Sequence, residues 1–151
     1  NRLQAISEIK GTTPVFVKLG DLGDANKTVK LLDQCQIDGL VLLNTQKNYH
    51  KYRPQLAKQD HKIFDYYTEK FQGGLSGEII RDTSFDSVRE AHAAIKKNNS
   101  KLQLIHVGGI NTPTDMKESR EFAPLREWYT GLMEHMGTKK LSDVYAHMVN
   151  P

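Results

Sequence analysis

The chain has 151 residues, of which 38% are apolar and 26% charged, and its formal net charge is +3. This composition is typical of one globular domain with room for a core, and it lacks the concentrated basic face of a nucleic-acid-binding domain. Cys35 is the single cysteine, which excludes an internal disulfide or cysteine-based metal site. No run of 18 apolar residues is present, so no membrane-spanning segment is expected. Because the sequence begins at Asn1, without Met or a signal peptide, a processed or excised chain is expected.

Four apolar runs predict strands. The first three are rich in Val, Leu and Ile and do not alternate with polar residues, which is typical of parallel strands covered on both faces. Arg126 and Glu127 interrupt the fourth. The runs are "PVFVKL" (14–19), "DGLVLLN" (38–44), "LQLIHV" (102–107) and "PLREWYT" (124–130).

Helical patterns follow each run, because apolar residues recur there every three or four positions. Between the first and second predicted strands, the apolar face of the helix includes Cys35, which we expect to be buried, and Asp24 is the expected N-cap. Ser84 or Ser87 is the expected cap of the helix before the third strand, and Thr112 that of the next. A short helix is expected over 140–149. Strands that alternate with helices predict a parallel α/β sheet.

The connection over 46–72 is long for a loop between a strand and a helix. Loops of this length are usually functional or disordered. It contains the densest basic stretch, "KNYHKYRPQLAKQDHK" (47–62), and several aromatic residues. A solvated loop is the favoured interpretation of the charge, and contact with phosphates is the alternative. The aromatic residues suggest a lid over a site or an insertion that contacts a partner.

Polar residues stand where the first two strands end. Lys18 would favour an anionic ligand there, although a lysine at a strand end can also extend to solvent. Asn44 and Thr45 follow the second strand. The amide of Asn44 offers two donors and an acceptor to a planar polar substrate, and the alternative is that the pair only shapes a turn.

Three glycine-containing segments come after the long connection and after the third and fourth strands. They are "GGLSG" (73–77), "HVGGI" (106–110) and "YTGL" (129–132), and the first adds the Ser76 hydroxyl. Bare backbone at such positions admits a close ligand, and (β/α)₈ barrels commonly bind phosphate after their last two strands. Turns use glycine for other reasons, so each segment alone is a weak signal. His106 lies within a strand and is expected to be a core residue, and no metal-ligand spacing is present.

Taken together, these segments resemble the C-terminal half of dihydroorotate dehydrogenase, most closely its class 2, quinone-linked kind. The resemblance rests on "PVFVKLGDL", "IDGLVLLNT", "GGLSGEIIRDTSFDSVRE", "IHVGGI" and "WYTGL", in the family's order and over nearly all the chain. It implies half of a (β/α)₈ TIM barrel over residues 1–151, with 46–72 as an inserted loop, completed by another chain or segment.

The resemblance also implies a site. FMN is the implied cofactor, and dihydroorotate, orotate and a quinone are the implied partners. Lys18 would lie against the flavin ring and Asn44 would contact the substrate. No catalytic residue is assigned, because the family's serine base lies in the other half. The residues implied to hold the flavin and its phosphate are Ser76, Gly77, Gly108, Gly109, Tyr129 and Thr130.

The chain departs from the family at several positions. Leu43 replaces the usual Thr before Asn44, and Arg126 and Glu127 stand where apolar or amide residues are usual. Two functions are the main alternatives, and a different FMN or phosphate barrel enzyme is a third. One is FMN-dependent oxidation of dihydroorotate in pyrimidine biosynthesis, at the mitochondrial inner membrane or a bacterial membrane. The other is a non-catalytic relative with a structural role in a larger complex.

Overall fold

A computed structural model describes residues 2 to 149 and contains one parallel four-stranded sheet whose strands alternate with helices. The strand order is β1-β2-β3-β4, and every pairing is parallel. The parallel sheet confirms the predicted α/β class. Each observed strand begins one or two residues after the predicted start. The strands are β1 (Phe16–Leu19), β2 (Gly39–Leu42), β3 (Gln103–Val107) and β4 (Leu125–Glu127).

Residues 2–149 contain eight α-helices. The predicted helices before β2, before β3 and after β3 are present, as is the short helix predicted over 140–149. The helices are α1 (Arg2–Ile9), α2 (Ala25–Gln34), α3 (Tyr49–Tyr52), α4 (His61–Phe71), α5 (Arg81–Lys97), α6 (Pro113–Arg120), α7 (Thr130–Met136) and α8 (Leu141–Val149).

Two of the three predicted N-caps are confirmed. The Asp24 carboxylate accepts from the Lys27 N–H at 3.1 Å, and Thr112 forms a reciprocal capping box with Asp115. The prediction that Ser84 or Ser87 caps α5 is wrong, because that helix begins at Arg81 directly after a 3₁₀ turn. Ser84 instead lies one turn inside the helix, where its hydroxyl contacts β3.

The hydrophobic core fills the space between the sheet and helices α2 and α5. Leu40, Leu42 and Leu104 point to this side and are buried, and Cys35 is buried with them, as predicted. Burying each such side chain contributes about 1.5–3 kcal/mol. Strand residues of this face therefore anchor the helices and leave the opposite face of the sheet for other contacts.

The opposite face of the sheet is concave and partly open. Phe16 and Leu125 are exposed on it. Lys18 of β1 and Glu127 of β4 form an ion pair at 3.0 Å although two strands separate them. Flat strands spaced about 4.8 Å apart would hold β1 and β4 too far apart for this contact, so the sheet curves like the wall of a barrel.

Residues 46–72 are largely helical, which the loop prediction missed. Two 3₁₀ turns join α3 to α4. The Arg53 guanidinium donates twice to the Asp65 carboxylate, at 2.6 Å each, and holds α4 against the preceding turn. Tyr52 is buried and donates to Thr83 of α5, which ties the segment to the body of the domain.

Candidate functional site

A cavity of about 320 Å³ lies at the carboxyl ends of the strands. Lys18 near the end of β1 and segments that follow β2, β3 and β4 line it, because parallel strands end at the same edge of a sheet. The structure brings every predicted site residue to this cavity. These residues are Lys18, Asn44, Ser76, Gly77, Gly108, Gly109, Tyr129 and Thr130.

The Lys18 ammonium is already paired inside the site. It donates to a carboxylate oxygen of Glu127 at 3.0 Å, and both side chains are partly exposed to solvent. A ligand that draws on the charge of Lys18 must therefore compete with Glu127 or share the cation with it. The sequence marked Glu127 as unusual for its position, but gave no sign that it meets Lys18.

The end of β2 presents one polar and one apolar residue. The Asn44 side-chain oxygen accepts from the Thr45 N–H at 2.9 Å, which leaves its amide nitrogen directed away from that contact. Leu43 lines the cavity and is buried in the core. An apolar wall thus stands at the position where the family usually supplies a hydroxyl.

Hydroxyl groups from two distant segments meet on the cavity wall. Thr130 begins α7 and donates to the Ser76 oxygen at 3.0 Å. Gly77 lies beside them, since a side chain there would come within 2.9 Å of the Thr130 methyl group. This contact joins the "GGLSG" segment to the end of β4 and leaves hydroxyl and backbone groups facing the cavity. Tyr129 adjoins them and is exposed.

The two glycines after β3 are required by the protein's own packing. Both have positive φ, at +101° for Gly108 and +71° for Gly109. A Cβ on Gly109 would lie 2.3 Å from the Arg81 Cα, so the start of α5 packs directly on this turn. Glycine here is therefore not by itself evidence of a ligand, although the same turn lines the cavity.

A network of charges fixes the Gly109 turn to α6. The Arg81 guanidinium donates to Asp115 at 2.6 Å and to Glu118 at 2.8 Å. Asp115 also accepts from the N–H groups of Asn111 and Thr112. Burial acts to raise the pKa of Asp115, but the hydrogen bond from Arg81 and those from Thr112 and Asn111 outweigh it and lower the pKa. The carboxylate thus stays ionised and rigidly held.

His106 is a buried core residue, as predicted. Its Nε2 lies 3.0 Å from the Ser84 hydroxyl, and its Nδ1 lies 2.7 Å from the Ser119 hydroxyl. Since the Ser84 hydroxyl donates to the Val107 carbonyl, it accepts from His106 Nε2–H; in the neutral ring, Nδ1 then accepts from the Ser119 hydroxyl. Burial, with a smaller effect of the Arg126 charge, lowers the pKa of His106 to about 4. The group therefore supports the strand behind the cavity as a neutral side chain.

Trp128 is a cavity residue that sequence reasoning missed. Its indole Nε1–H is buried and has no hydrogen-bond partner within residues 2–149. Asn111, Ile80 and Ile110 also line the cavity without having been predicted. Asn111 could have been predicted, because it is a polar residue that follows β3 closely. Ile80 and Ile110 are apolar, and the sequence gives no sign that they line a cavity.

Within 2–149, no group of three or more His, Cys, Asp and Glu side chains is placed to hold a metal ion. No helix in that range combines the length and apolar character needed to cross a bilayer.

Comparison with known proteins assigns the family. The dihydroorotate dehydrogenase family model matches residues 1–144. The chain belongs to the dihydroorotate dehydrogenase family. It is similar to "Dihydroorotate dehydrogenase (quinone)" of Natronomonas pharaonis, with 32% identity over 127 residues, covering 82% of this chain and 32% of that protein. It is also similar to "Dihydroorotate dehydrogenase" of Dictyostelium discoideum, with 28% identity over 66% of this chain and 26% of that protein.

Solved structures show the same relationship. Ligand-free type DHODH from Eimeria tenella superposes with a TM-score of 0.65 and 25% identity, covering 89% of this chain and 34% of that one. This chain spans about a third or less of the length of the relatives named here. Its fold is thus part of the TIM barrel of this family.

Proposed function

We propose that this chain is the C-terminal half of a quinone-linked dihydroorotate dehydrogenase and that its cavity holds FMN. The observation that carries the proposal is the meeting of eight residues, predicted from five separate segments, in one cavity at the carboxyl ends of the strands. Ligand sites of α/β barrels lie at this end. A cavity of about 320 Å³ is also within the range of small-molecule sites.

The cavity residues fit FMN in most respects. The Ser76 and Thr130 hydroxyls and the backbone of Gly108 and Gly109 suit its phosphate, and an acceptor on the ligand would satisfy Trp128 Nε1–H. Bound FMN would supply the acceptor for the hydride that leaves dihydroorotate as it becomes orotate.

The remaining roles belong to the chain itself. Lys18 would stabilise negative charge on the flavin ring, and Asn44 would orient the substrate through its amide. The base that removes the substrate proton lies outside this chain in the proposal. This half therefore binds and orients, and a quinone takes up the electrons at a mitochondrial or bacterial membrane.

The open face of the sheet supports a second part of the proposal, that another segment or chain completes the barrel. Phe16 and Leu125 expose apolar surface on the concave face, and β1 and β4 each pair with one neighbour only within residues 2–149. Sheet edges of this kind are normally covered or paired. The missing barrel strands would bury both the edges and the face.

A non-catalytic structural subunit is the second candidate, and a specific contact favours it. Glu127 neutralises the one predicted flavin-facing cation, Lys18, and Leu43 removes a hydroxyl from the same region. A barrel that has lost catalytic activity would keep its fold, and contacts such as the Lys18–Glu127 pair would replace those with the ligand.

Dihydroorotate-dependent reduction of a soluble quinone by the full-length protein tests the proposed activity. We expect turnover with dihydroorotate, inhibition by orotate, and loss of turnover in Asn44→Ala. Replacement of Thr138, an exposed residue outside the cavity, by Ala is the matched control. A correctly folded full-length protein that binds neither dihydroorotate nor orotate would contradict the enzyme proposal.

A further inference from the structure

Arg126 is a half-buried cation on the helix side of β4. It pairs in register with His106 of β3, and residues paired in this way place their side chains on the same face of a sheet. The next residue, Glu127, points to the opposite face, where it meets Lys18. Arg126 therefore lies outside the proposed FMN cavity, and that site does not explain its charge.

The guanidinium of Arg126 has backbone partners but no carboxylate. It donates to the carbonyl oxygens of Ala123 and Pro124, at 2.9 Å and 3.1 Å, and its other N–H groups have no partner within residues 2–149. Other arginines of the chain differ in this respect, since carboxylates pair with Arg53, Arg81 and Arg89. Arg126 thus keeps donors free for an anion.

The surroundings of Arg126 disfavour an isolated positive charge. Burial lowers the pKa of Arg126, and the nearby charge of Arg120 lowers it further. A guanidinium nevertheless stays protonated in proteins, so the charge persists in a place that is partly removed from water. A carboxylate offsets such a cost best, because its two oxygens match the planar fork of the guanidinium.

An apolar cavity of about 750 Å³ opens directly beside Arg126. Leu141 and Tyr145 of α8 line it and are 53% and 59% exposed. Trp128, Leu132 and Ser142 complete the lining. The strand that carries Arg126 pairs only with β3 within residues 2–149. A free strand edge, an apolar cavity and a cation without an anion therefore occur together at one place.

We propose that the protein segment which completes the barrel beside β4 carries an Asp or Glu whose carboxylate pairs with Arg126. This inference rests on the second part of the proposed function, the completion of the barrel. A strand added at the edge of β4 sends alternate side chains to the helix side of the sheet, where one of them reaches the guanidinium. Apolar residues of the same segment cover Leu141 and Tyr145.

A zero-length cross-link tests the pairing in the full-length protein. Arg126→Lys introduces an amine that a carbodiimide can join to a carboxylate in direct contact, and mass spectrometry identifies the joined peptides. We expect a cross-link from the introduced lysine to an Asp or Glu outside residues 1–151, and the peptide shows whether the same chain or another chain supplies it. The Lys10–Asp38 pair, at 2.6 Å, is the positive control, and Lys96, exposed on α5, is the negative control.

Two results of the cross-linking would overturn the proposal. One is the absence of a cross-link at the introduced lysine while Lys10 and Asp38 are joined. The other is a cross-link only to an acidic residue of the same 151 residues, such as Asp143 of α8. Bound FMN, measured on the same samples, reports separately on the proposed function. A protein that binds FMN and gives no cross-link would overturn the carboxylate alone.

Urea unfolding of Arg126→Leu gives an independent test, because the two possibilities predict opposite signs. With a partner carboxylate, the substitution leaves that group unpaired and should lower the unfolding midpoint. Without one, leucine removes a partly buried charge and fills apolar space, so the midpoint should rise. Arg89→Leu, which breaks known pairs with Asp86 and Glu118, is the reference for a loss. An unchanged or raised midpoint in Arg126→Leu would overturn the proposal.

Discussion

Replacing Gly109 by alanine should destabilise the protein strongly, because two independent costs meet at this position. The residue has φ +71°, a conformation that costs a residue with a Cβ about 1–2 kcal/mol. The added Cβ would also lie 2.3 Å from the Arg81 Cα and 2.9 Å from the Arg81 nitrogen. Those atoms are backbone, so α5 itself must move.

The two costs add to a sizeable fraction of the stability of a domain. Forcing a packed segment apart costs about 1–3 kcal/mol, so the total for Gly109→Ala is about 2–5 kcal/mol. Gly11 is the matched control, since it has φ +56° and no atom within 4 Å of the added Cβ. Gly11→Ala should therefore show only the backbone cost, about 1–2 kcal/mol.

Urea unfolding of the full-length protein measures the difference. Tryptophan fluorescence and circular dichroism should give a lower midpoint for Gly109→Ala than for Gly11→Ala, with unchanged slopes. Equal midpoints for the two variants would refute the close packing of Arg81 on the turn. A second substitution at Arg81 should not restore the stability of Gly109→Ala, because the added Cβ contacts the backbone of Arg81.

Two further predictions concern charge. Glu127→Gln should raise the affinity for FMN about fivefold, the scale of one partly exposed ion pair, because Lys18 is then free for the ligand. Quenching of flavin fluorescence measures the affinity, and Asp86→Asn, which breaks the ion pair with Arg89, is the control. Unchanged affinity in Glu127→Gln would contradict the prediction. His106, with its pKa lowered from 6.5 to about 4, stabilises the fold fully above pH 6.5 and progressively less as the pH falls to 4. The loss should be about 3 kcal/mol of unfolding free energy, and a urea titration at pH 7 and pH 4 should show a smaller loss in His106→Gln.

The strands and most helix starts could be predicted because local signals decide them. Apolar runs of Val, Leu and Ile locate β1 to β3, and the Thr112 capping box locates α6. The start of α5 was mispredicted because Ser84 serves a long-range contact with His106, which no local pattern reveals. The helices within 46–72 were missed because Arg53 and Asp65, twelve positions apart, stabilise them through tertiary pairing.

The sequence predicted which residues line the candidate site, but it did not predict how their charges pair. Residues that follow parallel strands converge at one edge, which brought Lys18 and Thr130 to the same cavity. The Lys18–Glu127 pair depends on the curvature of the sheet, and the curvature is set by all four strands together. The role of Gly109 in packing on Arg81 likewise requires the position of α5.

Flavin content of the gently purified full-length protein tests the central proposal most directly. Absorbance and mass measurement of the released ligand should give one FMN per barrel, and Lys18→Ala should weaken its binding while the fold is retained. The reason is that the proposed site places the flavin ring against Lys18 and its phosphate beside Ser76 and Thr130. A folded, intact protein that contains no FMN and takes up none when it is added would contradict the proposal and favour the structural subunit.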